Sequence, residues 1–180
     1  MTSKTALVLV DIQNDYFDGG LWPLHNMDAA AANAARLLAK ARAHNQMVVH
    51  VRHEGGETAP FFRPNTVGAQ IHGTVAPLPD EVVFLKHRPN SFHETDLLEQ
   101  LQNAQITDLH IAGAMAQMCI DATARAAKDF GFDVTVVADA CAAKAVEWNG
   151  TKVAAPAVMA SFMAALSGTY ARVINTDEAG

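Results

Sequence analysis

Apolar, β-branched runs alternate with alanine-rich stretches along nearly the whole chain, and the two patterns predict different elements. Thr5-Ala6-Leu7-Val8-Leu9-Val10 is apolar after its first residue and stops at Asp11, as expected of a parallel strand covered on both faces. Similar runs at Met47 to Val51, Glu81 to Leu85, Asp108 to Ala112, Val134 to Ala138 and Ala171 to Ile174 predict five more strands. The stretches between them predict helices. One runs through Ala29 to Arg42 with Asp28 as its cap, and one through Thr95 to Gln102 with Thr95 as its cap. A third spans Cys119 to Phe130 and stops at Gly131. The last spans Lys152 to Leu166, with Pro156 in its first turns and Gly168 as its end.

Strands separated by helices require crossover connections, which are right-handed, so the predicted fold class is α/β. We expect three layers, α/β/α, around a six-stranded mostly parallel sheet in the common order 3-2-1-4-5-6. A chain of 180 residues that is 50% apolar fits one domain spanning 1–180.

Composition removes several function classes. The formal net charge is -6 with no Lys/Arg block, so nucleic acid and anionic membrane surfaces are not expected partners. No apolar stretch reaches the roughly 20 residues of a membrane span. The start Met1-Thr2-Ser3-Lys4-Thr5 lacks a basic region followed by an apolar one, and there are only two cysteines, Cys119 and Cys141. The expected location is the reducing cytoplasm. Asp11-Ile12-Gln13-Asn14 stands after the first strand where a dinucleotide-binding enzyme would carry Gly-x-Gly-x-x-Gly.

Ligands of open α/β sheets bind beyond the carboxyl ends of the strands, near the point where strand order reverses. Asp11, His53, Lys86 and Cys119 follow the first four strands and so fall on that edge. Cys119 by itself is either a small buried hydrophobe or a nucleophile whose thiolate a helix N-terminus would favour. Asp11 can accept the thiol proton, and Lys86 can hold Asp11 and supply counter-charge. Cys141, after the fifth strand, has no comparable partners and is expected to be structural.

Three motifs, Ala6 to Phe17 with Gly19-Gly20, Val83 to Phe92, and Gly113 to Cys119 with Asp121, Thr123 and Ala126, resemble the isochorismatase-like cysteine hydrolases. That family includes nicotinamidases and carbamoylsarcosine amidohydrolases. The resemblance implies an Asp-Lys-Cys triad on Asp11, Lys86 and Cys119. It further implies a cis peptide at Ala114-Met115 that turns the Met115 and Cys119 N–H groups into an oxyanion hole. Nicotinamidases carry an Asp-x-His metal motif, whereas this chain has Val51-Arg52-His53. His53, Glu54 and His72 could in principle assemble a site, but we expect no metal and no cofactor, and nicotinamide is disfavoured. Isochorismatases proper cleave a vinyl ether, and several lack the cysteine. Retention of Cys119 therefore favours hydrolysis of a small amide or carbamoyl compound through an acyl-enzyme, with vinyl ether hydrolysis, a thiol sensor or an inactive binding module as alternatives. Family members are commonly dimers or tetramers, so a homodimer or homotetramer is expected.

The segment Glu54 to Asp80, carrying Pro60, Phe61, Phe62, Pro64 and Pro79, reads as a semi-rigid specificity loop. Phe17, Leu21, Trp22, His53, Phe61 and Phe62 are candidates for an apolar pocket beside the triad, or for a subunit interface. Met159, Phe162 and Met163 at helical spacing suit a core or an interface.

Overall fold

The computed structural model describes residues 4–179. Met1, Thr2 and Ser3, part of the start on which the expected location rests, lie outside the described residues.

The elements in chain order are β1 (Thr5–Val10), α1 (Met27–Ala43), β2 (Met47–His53), β3 (Val82–Lys86), α2 (Leu97–Asn103) and β4 (Asp108–Ala114). They continue with α3 (Asp121–Asp129), β5 (Asp133–Ala142), β6 (Val146–Trp148), β7 (Thr151–Val153), α4 (Ala155–Leu166) and β8 (Arg172–Ile174). The six-stranded sheet runs β3-β2-β1-β4-β5-β8, with every pair parallel. β1 lies at its centre, and its end pairs with Val51 on one side and Gly113 on the other. The expected order and class therefore hold, with β8 as the sixth strand of the sheet.

Side-chain alternation along β1 sorts the layers. Ala6, Val8 and Val10 face a cluster built with Leu97 and Leu101 of α2, Ala124 and Ala127 of α3, and Val158, Met163 and Leu166 of α4. Leu7 and Leu9 face the buried side of α1, which includes Ala30, Ala34, Leu37 and Leu38. Alanine dominates that contact, which lets the helix backbone pack close to the sheet at little side-chain entropy cost. Met159 and Phe162 pack half-buried against the core beside Met163.

Several boundaries differ from the sequence expectation. Asp28 is the second residue of α1 and not its cap; Asn26 takes that place with a left-handed φ of 57°. Thr95 lies ahead of α2, whose cap position is Asp96. β5 runs on to Ala142, so Cys141 is inside a strand, paired with Gly113. Lys152 belongs to a β6–β7 antiparallel hairpin that turns at Asn149 and Gly150, both at positive φ. Helix α4 begins only at Ala155, with Pro156 in its first turn. Among the described residues no helix is long and apolar enough to cross a membrane.

Candidate active site

Asp11 comes straight off the end of β1 with φ at +53°, its N–H donating to the Val51 carbonyl at 2.9 Å. Lys86 is the last residue of β3, where its long stem lies in the interior and its side chain is 0% exposed. Cys119 lies in a single π turn, Ala116–Ile120, in which the Ile120 N–H reaches back five residues to the Met115 carbonyl at 3.2 Å. One-turn π bulges of this kind often set a functional side chain. The peptide bond between Ala114 and Met115 is cis, as the resemblance implied.

These three residues converge. Lys86 Nζ donates to Asp11 Oδ2 at 2.7 Å and to Cys119 Sγ at 3.3 Å. The other carboxylate oxygen, Asp11 Oδ1, is buried without a donor of full hydrogen-bond geometry among the described residues, while the Cys119 thiol interacts with the same carboxylate.

The electrostatics correct one expectation. A helix N-terminus was expected to favour the Cys119 thiolate, but burial raises the thiol well above its ordinary range, and the Asp11 charge adds to this against the lowering effect of Lys86. Desolvation of the sulfur in this 6% exposed position is the largest cause. Burial thus favours the thiol form of Cys119, next to the Asp11 carboxylate. At Lys86 burial works against the charge, but the Asp11 charge and the hydrogen bonds to Asp11 and Cys119 offset it, and the ammonium is held more firmly than usual.

Tyr16 was not singled out from sequence. It is 1% exposed, and burial raises its phenol well above the ordinary value, with the charges of Asp11, Cys119 and Asp15 pushing the same way. Its place beside the triad could have been suspected only from its position five residues after Asp11 in the turn leaving β1.

The pocket candidates separate into two groups. His53, the end of β2, belongs to the triad cluster through its Nδ1, 3.2 Å from Lys86 Nζ. Phe61, Phe62, Trp22 and Tyr16 form a connected set of rings, with Trp22 stacked on Phe61 at 4.9 Å and Phe62 against Tyr16 at 4.5 Å. Phe62 is 1% exposed and serves as core, whereas Trp22 and Phe61 keep partial exposure. Phe17 is buried and stacks on His72 at 3.7 Å. Leu21 is exposed.

Two buried side chains fix the loops around the triad. Gln13 donates to the carbonyls of His53 and Ala69, both at 2.8 Å, and accepts from the His53 N–H at 2.7 Å. Asp15 accepts from Leu21 N–H at 3.1 Å and from Phe62 N–H at 2.7 Å, so it ties both loops to one carboxylate. Among the described residues no group of three or more His, Cys, Asp or Glu side chains is arranged to hold a metal ion.

The isochorismatase domain model matches residues 5–168. The chain belongs to the isochorismatase family. An uncharacterized isochorismatase family protein of Bacillus subtilis, YddQ, is 47% identical over 96% of this chain and 97% of its own. The solved structure of an isochorismatase hydrolase from Oleispira antarctica superimposes with a TM-score of 0.96 at 51% identity, covering 99% of this chain and 97% of that one. Streptothricin hydrolase of Streptomyces noursei is 33% identical over 96% of this chain and 66% of its own length. The chain is thus an isochorismatase-like hydrolase, with streptothricin hydrolase among the proteins it is similar to. All three sequence motifs lie within the matched isochorismatase domain.

Proposed function

We propose that this chain is a cysteine hydrolase that cleaves the C–N bond of a small amide or carbamoyl compound through an acyl-enzyme on Cys119. The observation that carries this reading is the buried Lys86 ammonium placed between Asp11 Oδ2 and Cys119 Sγ. Asp11 is the proton acceptor for a thiol that burial keeps protonated.

As Sγ bonds to the carbonyl carbon, its proton passes to Asp11, and the carbonyl oxygen takes up negative charge opposite the Met115 and Cys119 N–H groups. Collapse breaks the C–N bond, and the departing nitrogen takes the proton back from Asp11. Water then attacks the thioester, gives its proton to Asp11, and releases the acid with the thiol restored. His53, Trp22 and Phe61 would border the substrate, with Phe17 and Phe62 acting through packing.

Family similarity to streptothricin hydrolase supports a hydrolytic reaction. Burial of Cys119 and the upward displacement of its thiol argue against a redox sensor, which requires an exposed, acidic thiol. Intact-mass spectrometry after rapid mixing with a panel of small amides and carbamoyl compounds tests the reading. A mass increase equal to the acyl group, lost in Cys119→Ala together with turnover, is expected. Full turnover by Cys119→Ala would overturn it.

A further inference from the structure

His53 stands inside the triad cluster, yet no proton or bond in the proposed reaction passes through it. It is the direct parallel partner of Lys86 across the β2–β3 ladder, and residues paired in this way project from the same face. Both end their strands, so the register alone brings the imidazole to the ammonium. The His53 backbone is fixed independently, since its N–H and carbonyl are both bonded to the buried Gln13 carboxamide.

A lysine ammonium has three N–H donors and no acceptor. Lys86 Nζ has three acceptors around it: Asp11 Oδ2 at 2.7 Å, His53 Nδ1 at 3.2 Å and Cys119 Sγ at 3.3 Å. The His53 contact is a hydrogen bond only if Nδ1 carries a lone pair, which places the ring proton on Nε2. A backbone hydrogen bond at Arg88 is available to the ring. We propose that His53 is a positioning residue, a neutral imidazole whose Nδ1 takes the third ammonium proton and so fixes Lys86 against both Asp11 and Cys119.

The surroundings agree. Burial and the Lys86 charge both disfavour a charged imidazole, His87 acts in the same direction, and only Asp11 and the Arg88 backbone oppose them. An imidazolium would set two positive charges at hydrogen-bond distance in a buried site. Two consequences follow. Lys86 has no N–H left for substrate, so charge developing on a substrate oxygen has to be met by other donors, which suits backbone groups. In addition, Nδ1 is committed to a cation and is not free to ligate a metal.

The assignment is tested by alkylation of Cys119 with iodoacetamide at about pH 8, located by peptide mass so that Cys141 is counted separately. The readout needs no turnover, so failure of the wild-type protein on every amide would remove the hydrolase reading without deciding this one. His53→Leu is expected to slow Cys119 alkylation about tenfold, because a less firmly held ammonium stabilises the thiolate less. Asn places an oxygen where Nδ1 lies, whereas Gln places its polar atoms where Nε2 lies. His53→Asn should therefore recover most of the wild-type rate and His53→Gln should not. Should His53→Leu fail to fold, the Asn and Gln pair decides alone. Equal rates for Asn and Gln, or a wild-type rate for Leu, would overturn the assignment.

Discussion

Gly113 in β4 lies so close to Val10 in β1 that a Cβ added to it would stand 1.9 Å from the Val10 carbonyl oxygen, and its φ is +128°. The contact sits one residue ahead of Asp11, at the centre of the sheet. Gly113→Ala is therefore strained twice, by backbone conformation and by collision with an atom that cannot rotate away. A loss of about 3 kcal/mol or more is expected from urea unfolding, with hydrolytic activity falling further than stability because Asp11 is displaced.

Lys86 and Asp11 form a fully buried pair with both side chains 0% exposed. Lys86→Met should leave the carboxylate as an uncompensated buried charge and cost about 3–5 kcal/mol. Adding Asp11→Asn should return much of that stability while activity stays lost. A double variant no more stable than Lys86→Met in denaturant titration would contradict this view of the pair.

Cys141 bears on alkaline stability. Burial holds its thiol at about 12 against an ordinary value of 9.0. The folded state therefore keeps a proton that the unfolded chain loses, and this contribution, complete below about pH 9, is lost as pH rises toward 12. Cys119 and Lys86 shift the same way. Each such group makes stability fall by up to about 1.4 kcal/mol per pH unit within its window. Cys141→Ala should flatten the fall between about pH 9 and 12, measured as the slope of unfolding free energy with pH; an unchanged slope would show the thiol to be accessible in the folded state.

Asp15 ties down the loops through the Leu21 and Phe62 amides. Asp15→Asn replaces one accepting oxygen by an NH2 that faces a backbone donor. Hydrogen exchange at those amides should quicken about tenfold, equivalent to one weakened hydrogen bond, while the central strands remain protected. Equal acceleration throughout the sheet would mean that Asp15 supports the global fold and not the loops.

The Arg42–Glu81–His50 network gives an acid counterpart. Hydrogen bonds from Arg42, chiefly, and from the Leu78 N–H and His50 hold Glu81 at about 2, against the opposing effect of burial. Its stabilising contribution is present above the ordinary carboxylate value of 4.5 and lost as pH falls through about 2. His50 is lowered by burial, so the folded state also disfavours its protonation below 6.5. Glu81→Gln should cost about 1–3 kcal/mol at pH 7 and weaken the acid dependence near pH 2–4; an unaltered acid titration of stability would remove Glu81 from the account.

Much of this architecture was legible because central parallel strands must be apolar on both faces. The run from Ala6 to Val10 is too short for a buried helix and fits a buried strand, and the strand order is the common one for such sheets. Asp11, Lys86 and Cys119 could be placed together because each stands at a strand end. What depended on tertiary context was less visible. The Asp139-Ala140-Cys141-Ala142 stretch has little strand propensity and is extended because it pairs with Gly113 and Ala114 of β4. The direction of the Cys119 shift depended on burial by elements distant in sequence, which a local reading does not contain. The hairpin was within reach: Asn149-Gly150 between Val146-Glu147-Trp148 and Thr151-Lys152-Val153 is a strong turn signal, lost by extending the last helix back to Lys152.

The triad is gathered across long stretches of chain, with Lys86 bonded to a residue 75 positions away and to another 33 positions away. No segment ending before residue 119 contains all three groups, and the β3-β2-β1-β4 pairing brings them together. The Asp11–Lys86–Cys119 cluster therefore forms only once the central strands have paired. The first appearance of the buried, protected Cys119 thiol would mark completion of the slow, non-local part of folding.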